Sequence, residues 1–123
     1  MNTKKILIIE DDKALCTVLK TKLEQKGCSV ELAHDGKEGL HKVDSDHFDI
    51  ILLDLLMPQM DGFTFLSELK NKKITTPVIV TTNLSQDEDR SKALALGAKD
   101  FFIKADISLD DIQKRMLEVM HCD

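Results

Sequence analysis

Glu10 and Asp11 follow the apolar run Ile6-Leu7-Ile8-Ile9, Asp54 follows Ile50-Ile51-Leu52-Leu53, and Lys104 follows Phe101-Phe102-Ile103. Three carboxylates and one ammonium at the ends of apolar runs suit the handling of a divalent cation and a phosphoryl group. Crowded carboxylates repel one another and favour either a shared proton or a hard cation. Mg²⁺ prefers one or two carboxylates, several waters and phosphate oxygens. Asp54 has the nucleophile for in-line attack on phosphorus, which gives an aspartyl phosphate. Mg²⁺ and Lys104 would balance charge on the equatorial oxygens, and the Thr82 hydroxyl, at the end of Val78-Ile79-Val80-Thr81, would donate to another. Taken singly, each residue has a plainer role as helix cap, strand residue or surface charge. Their joint placement carries the chemistry. Without metal, Glu10 and Asp11 oppose a further negative group at Asp54, so metal dependence is a physical requirement of this reading.

These groups act together only if the fold brings the run ends to one edge. Continuous apolar runs of this length read as strands of a parallel sheet buried on both faces. Ligands on such sheets bind outside the carboxyl ends of the strands. The chain alternates strand and helix five times, with strands expected over 5–10, 28–33, 49–54, 78–82 and 100–104. The polar alternation from Cys28 to Ala33 predicts a strand near the sheet edge. Asp12 caps a helix carrying Leu15, Val18, Leu19 and Leu23, with Gly27 at its carboxyl end. Asp35-Gly36 opens a second helix, Asp61-Gly62 leads to a third over 63–70, Ser85 is expected to cap the fourth, and Ser108 the fifth. Leu109, Ile112, Met116 and Met120 form a helical stripe for the core. Alternation of this kind predicts an α/β fold, a five-stranded parallel sheet with helices on both faces and right-handed crossovers.

At 123 residues the chain is one domain, 1–123, with 42% hydrophobic and 32% charged residues and a net charge of -5. That acidic balance argues against nucleic acid, whose phosphates require concentrated Lys and Arg. No apolar stretch approaches the roughly 20 residues that span a bilayer, and no signal-peptide core is present, so no membrane association and a cytoplasmic location are expected. Cys16, Cys28 and Cys122 lack C-x-x-C spacing and read as buried or incidental thiols. His34, His41 and His47 lack a paired ligand motif and read as surface histidines.

The segment Asp49-Ile-Ile-Leu-Leu-Asp54-Leu-Leu-Met-Pro58-Gln-Met-Asp61-Gly62 resembles the phosphoacceptor strand and loop of the receiver domain of two-component response regulators. Ile6 to Asp12 resembles the family's acidic first strand, Pro77 to Thr82 the strand ending in its switch hydroxyl, and Gly97 to Lys104 its last strand with the lysine. The resemblance covers nearly the whole chain and implies a flavodoxin-like doubly wound (βα)5 fold of strand order 2-1-3-4-5. It implies that Asp54 is the phosphorylation site, that Glu10 and Asp11 hold Mg²⁺ with Asp54, and that the backbone carbonyl of Leu56 is a further ligand. It further implies a histidine kinase or phosphotransfer protein as donor, Thr82 and Phe101 as switch residues, and a protein target on the fourth helix, fifth strand and fifth helix. A monomer or a phosphorylation-dependent dimer fits that scheme. Phe102 points to the opposite sheet face as ordinary core.

The sequence departs from the family at two places. Ala105 stands where proline usually follows the lysine, which predicts a trans or strained loop, because a non-proline cis bond costs about 2.5–4 kcal/mol. Asn83 is larger than the usual small residue after the switch threonine, and is expected to narrow access to Asp54 or to hydrogen-bond near the phosphoryl group. Leu56 and Leu84, two residues after Asp54 and Thr82, offer no group to orient water, so slow self-hydrolysis is expected. The apolar Leu56 also argues against a true aspartyl-phosphate hydrolase, which needs an acid/base carboxylate there. The chain is therefore expected to be a phosphoacceptor that assists its own phosphorylation and dephosphorylation. A phosphorylation-independent interaction domain, or the receiver fragment of a longer regulator, stands as the alternative.

Overall fold

The computed structural model describes residues 3–57 and 59–121, so Pro58 of the loop motif and Cys122 of the tail lie outside the described residues. Strands and helices alternate as β1 (Lys5–Ile9), α1 (Lys13–Gln25), β2 (Ser29–Ala33), α2 (Gly36–Ser45), β3 (Ile50–Leu53), α3 (Gly62–Asn71), β4 (Val78–Thr82), α4 (Asp87–Ala95), β5 (Asp100–Ile103) and α5 (Leu109–Val119). All strand pairs are parallel, in the order β2-β1-β3-β4-β5. This is the flavodoxin-like doubly wound arrangement, with β2 on an edge as its polar alternation requires.

The two-residue period of the strands sorts their side chains into two cores. Leu7, Ile9, Ile51, Leu53, Val78, Val80 and Phe101 meet Phe65, Leu66 and Leu69 of α3 and Ala93 of α4 on one face. Ile6, Ile8, Ile50, Leu52 and Ile79 meet Cys16, Leu19 and Leu23 of α1 and Ile112 and Met116 of α5 on the other. Each fully buried Ile or Leu contributes about 1.5–3 kcal/mol of transfer free energy. The central strands β1 and β3 therefore anchor the sheet under the future site. Phe102 packs with the second core, opposite Phe101, as the alternation predicts.

Side-chain caps fix where the helices begin. Asp12, Asp35, Asp61 and Ser108 accept from the N–H groups of Leu15, Glu38, Thr64 and Asp111. The expected Ser85 cap is not formed; Gln86 is the N-cap of α4 and makes no side-chain cap bond. Asp87, Glu88 and Asp89 in the first turn supply the compensating interaction with the helix dipole. Strand ends also differ from expectation. Pairing stops at Ile9, Leu53 and Ile103 and begins at Ser29 and Ile50, so Glu10, Asp54 and Lys104 stand just beyond the ladders. Being one residue outside the sheet frees their side chains to converge.

Two glycines serve the turns. Gly27 follows α1 with φ +88°, the left-handed region that glycine enters without steric cost. At Gly62 a Cβ would lie 2.7 Å from Leu55 Cα and 2.9 Å from the Asp54 carbonyl oxygen. Only glycine lets the start of α3 pack this closely on the backbone that carries Asp54.

Candidate functional site

Sheet register sets the site before any side chain is considered. Ile9 pairs with Leu53, and the Asp54 N–H donates to the Ile9 carbonyl at 3.0 Å, so Glu10 and Asp54 leave adjacent strands side by side. Thr82 pairs with Ile103, which places Lys104 one step past the end of β4. The carboxylate oxygens offered by Glu10, Asp11 and Asp54 lie within 4.8 Å of one another. Lys104 Nζ donates to Asp54 Oδ2 at 3.1 Å and stands 2.5 Å from Glu10 Oε1. The second oxygens are also engaged: Asp54 Oδ1 accepts from the Leu56 N–H at 3.1 Å, and Glu10 Oε2 from the Asp12 N–H at 3.1 Å.

Glu10 and Asp54 are 3% and 5% exposed, whereas Asp11 is open to solvent. Burial pushes the Glu10 carboxyl up to about 7; the Asp54 charge adds to this, while Lys104 and the Asp12 N–H oppose it. Burial disfavours the Lys104 ammonium, but the Glu10 and Asp54 carboxylates outweigh it and hold its pKa above the ordinary lysine value. One ammonium thus faces two buried carboxylates, with a third carboxylate at the rim. The donor set is all hard oxygen with surplus negative charge, which fits Mg²⁺ and does not fit a soft metal.

Leu56 touches this cluster through its N–H, and the other predicted residues lie on β4, on β5 or in the segments that follow them. Thr82 is fully buried, and its Oγ1 accepts from the Leu84 N–H at 3.3 Å. Lys104 opens a 3-10 turn, Lys104–Asp106, and no cis peptide occurs among the described residues. The trans backbone at Ala105 still delivers the ammonium into the site. Leu56 is half exposed, Leu84 packs at the margin of the first core, and Asn83 is exposed. Phe101 is buried, with the Arg90 guanidinium 5.9 Å from its ring and Arg90 Nη1 donating to its carbonyl at 3.1 Å.

Two neighbours of the cluster carry no expected role from sequence: His34 reads as a surface histidine and Cys16 as a buried or incidental thiol. His34 is half-buried rather than a surface residue, with Nδ1 3.3 Å from the Glu10 carbonyl oxygen. Cys16, fully buried, donates from Sγ to the same oxygen at 3.4 Å. Burial and then the Glu10 charge push the Cys16 thiol up to about 11, so it stays protonated at neutral pH. No motif marks either residue, because their shared partner is a backbone atom that spacing along the chain does not reveal.

Fold and cluster together define a doubly wound α/β protein with an acidic crevice and a lysine at the carboxyl edge of its sheet. The model of the response regulator receiver domain matches residues 6–117. The chain is 35% identical over 101 residues to the alkaline phosphatase synthesis transcriptional regulatory protein PhoP of Bacillus subtilis (strain 168), covering 82% of this chain and 42% of that protein. It is 38% identical over 112 residues to the transcriptional regulatory protein CiaR of Streptococcus pneumoniae, covering 91% and 49%. The chain therefore spans less than half the length of these relatives. Among solved structures, the receiver domain of the Francisella response regulator 1452 superposes with a TM-score of 0.91 at 33% identity, covering 97% of this chain and 98% of that one. A two-component response regulator from Clostridium difficile gives a TM-score of 0.90 at 32% identity, covering 97% of each chain.

The chain belongs to the response regulator receiver domain family. Receiver domains of two-component systems are phosphoacceptors rather than classical enzymes, typically bind Mg²⁺, and interact with histidine kinases or phosphotransfer proteins. Among the described residues, no helix is long and apolar enough to cross a membrane.

Proposed function

We propose that residues 1–123 form one receiver domain that takes a phosphoryl group onto Asp54 from a histidine kinase or phosphotransfer protein in the cytoplasm. The observation that carries this reading is the meeting of Glu10, Asp11, Asp54 and Lys104 at one sheet edge. Glu10, Asp11, Asp54 and the Leu56 carbonyl would hold Mg²⁺, which when bound offsets negative charge on the phosphoryl oxygens.

The transfer is a displacement at phosphorus. An Asp54 carboxylate oxygen forms the new P–O bond while the donor's P–N bond breaks, and that electron pair leaves on the imidazole nitrogen, which takes a proton from solvent. Lys104 exchanges part of its contact with Asp54 for a phosphoryl oxygen and so favours the transferred state. The Thr82 hydroxyl, now accepting from Leu84, turns to donate to another phosphoryl oxygen. Its departure frees space that lets the Phe101 ring move, a population shift driven by contacts present only in the phosphorylated state. The altered face of α4, β5 and α5 then binds a downstream protein.

Acetyl phosphate tests the chemistry directly. Intact-protein mass spectrometry is expected to detect one added phosphoryl group with Mg²⁺ present and none in EDTA. An adduct of equal yield in both conditions would sink the metal-assisted scheme.

Autodephosphorylation is expected to be slow, because Leu56 and Leu84 flank the site with apolar side chains. Leu84→Glu supplies a carboxylate able to orient water, and loss of the phosphoryl group should accelerate on the order of tenfold. Following the phosphorylated fraction by mass spectrometry after donor removal checks this; an unchanged or slower decay would contradict it.

A further inference from the structure

We infer that His34 and Cys16 are positioning residues: together they clamp the Glu10 carbonyl and thereby set the spacing of the Glu10 and Asp11 carboxylates for a divalent cation. The inference rests on the metal reading proposed above. One residue past the paired stretch, the Glu10 N–H still donates to the Ala33 carbonyl at 2.9 Å. Its own carbonyl lies past the ladder, and among the described residues it accepts from two side chains, Cys16 Sγ at 3.4 Å and His34 Nδ1 at 3.3 Å.

A carbonyl only accepts, so the His34 contact requires the proton on Nδ1. The geometry matters because of which peptide is held. The Glu10 carbonyl belongs to the planar unit joining Glu10 to Asp11, so fixing its oxygen fixes both Cα atoms and the bases of both carboxylates. The two donors arrive from different parts of the chain, Cys16 from α1 and His34 from the residue that follows β2.

His34 is itself secured. Its N–H donates to Glu38 Oε2 at 3.2 Å, and the Glu38 N–H donates to the α2 cap Asp35 at 2.8 Å. Partners of this outer kind commonly govern metal affinity by fixing ligand orientation. Sequence spacing gives His34 no ligand role, and its distance to a backbone oxygen rather than to the carboxylates makes it a support for ligands.

The test is Mg²⁺ affinity measured by calorimetry, beside thermal unfolding in metal-free buffer. His34→Ala and Cys16→Ala should each weaken Mg²⁺ binding, by about tenfold for His34→Ala. His34→Asn, whose amide nitrogen falls near the place of Nδ1, should restore most of the affinity. His34→Gln, whose amide reaches past it, should not, and Cys16→Ser should retain binding by keeping a donor. An affinity unchanged in His34→Ala, or restored equally by Asn and Gln, would overturn the positioning role. Lower melting temperatures with unchanged affinity would likewise overturn it, leaving these residues as packing alone. Absence of Mg²⁺ binding in the wild type, or binding that survives Asp11→Asn and Asp54→Asn, would overturn the metal site itself and the clamp with it.

Discussion

Asp54→Asn is expected to abolish the phosphoryl adduct formed with acetyl phosphate while making the metal-free protein more stable. A carboxamide lacks the anionic oxygen that forms the P–O bond, so the chemical loss should be complete at the detection limit of intact-protein mass spectrometry. Stability moves the other way because Asp54 sits 5% exposed beside Glu10, with one ammonium shared between them. Removing one carboxylate leaves Lys104 paired with Glu10 alone, and the relief of like-charge repulsion contributes about 1 kcal/mol. The amide oxygen still accepts from Leu56, whose N–H lies 3.1 Å from Asp54 Oδ1, so the loop keeps its anchor. Urea unfolding without metal measures the gain. A phosphoryl group retained in Asp54→Asn would move the acceptor to another residue; a large loss of stability would show that the crowding is already relieved in the wild type.

Opposed effects on stability and chemistry are characteristic of functional sites, where groups are held against their own electrostatic preference. Elsewhere among the described residues, sequence pattern and fold are for the most part consistent. Apolar alternation and strand register agree with one another, α1, α2, α3 and α5 carry side-chain caps, and buried side-chain polar atoms among the described residues all have hydrogen-bond partners. Glu10 is the exception in energetic terms. Its carboxyl is buried enough to be pushed up to about 7 and is offset by a lysine it must share.

The features legible in the sequence are those written in local periodicity. Ile6 to Ile9 and Ile50 to Leu53 announce buried parallel strands, and the residue after each is necessarily at the carboxyl edge. Glu10, Asp54 and Lys104 could therefore be gathered without coordinates. Thr82 was legible for the same reason, as the last residue of an apolar run. The α4 cap was less so, because Ser85 and Gln86 are adjacent and cap preference alone favours serine; the helix starts one residue later and relies on Asp87, Glu88 and Asp89. Beyond the helix caps, contacts from side chains to distant backbone carbonyls were not legible. His34 and Arg90 meet the carbonyls of Glu10 and Phe101 across 24 and 11 residues, and a carbonyl leaves no trace in residue type. Nor does sequence give the engaged state of Thr82, whose hydroxyl rests on Leu84.

Lys104→Met should lower metal-free stability in a strongly pH-dependent way, by about 3 kcal/mol at pH 8 and about 1 kcal/mol at pH 5. The ammonium lies 2.5 Å from Glu10 and 3.1 Å from Asp54, and breaking a buried ion pair from one side leaves charge without compensation. Methionine keeps most of the side-chain volume, so the loss reports charge rather than a cavity. The pH dependence follows from Glu10. Its folded pKa is raised from 4.5 to about 7 even with Lys104 present, and losing the ammonium raises it further. A glutamate raised on folding binds more protons in the native state, so stability falls as pH rises from the unfolded pKa through the folded one. At pH 5 Glu10 is therefore protonated in the folded variant and no longer adds its charge to the cluster. At pH 8 Glu10 either ionises beside Asp54 or holds its proton against solvent, and both cost free energy. Mg²⁺ in millimolar excess should return part of the loss, since binding to the native state alone shifts the unfolding equilibrium. Urea unfolding at both pH values, with and without Mg²⁺, separates these contributions. An equal loss at pH 5 and pH 8 would mean that the lysine supports the site by packing and not by balancing its carboxylates.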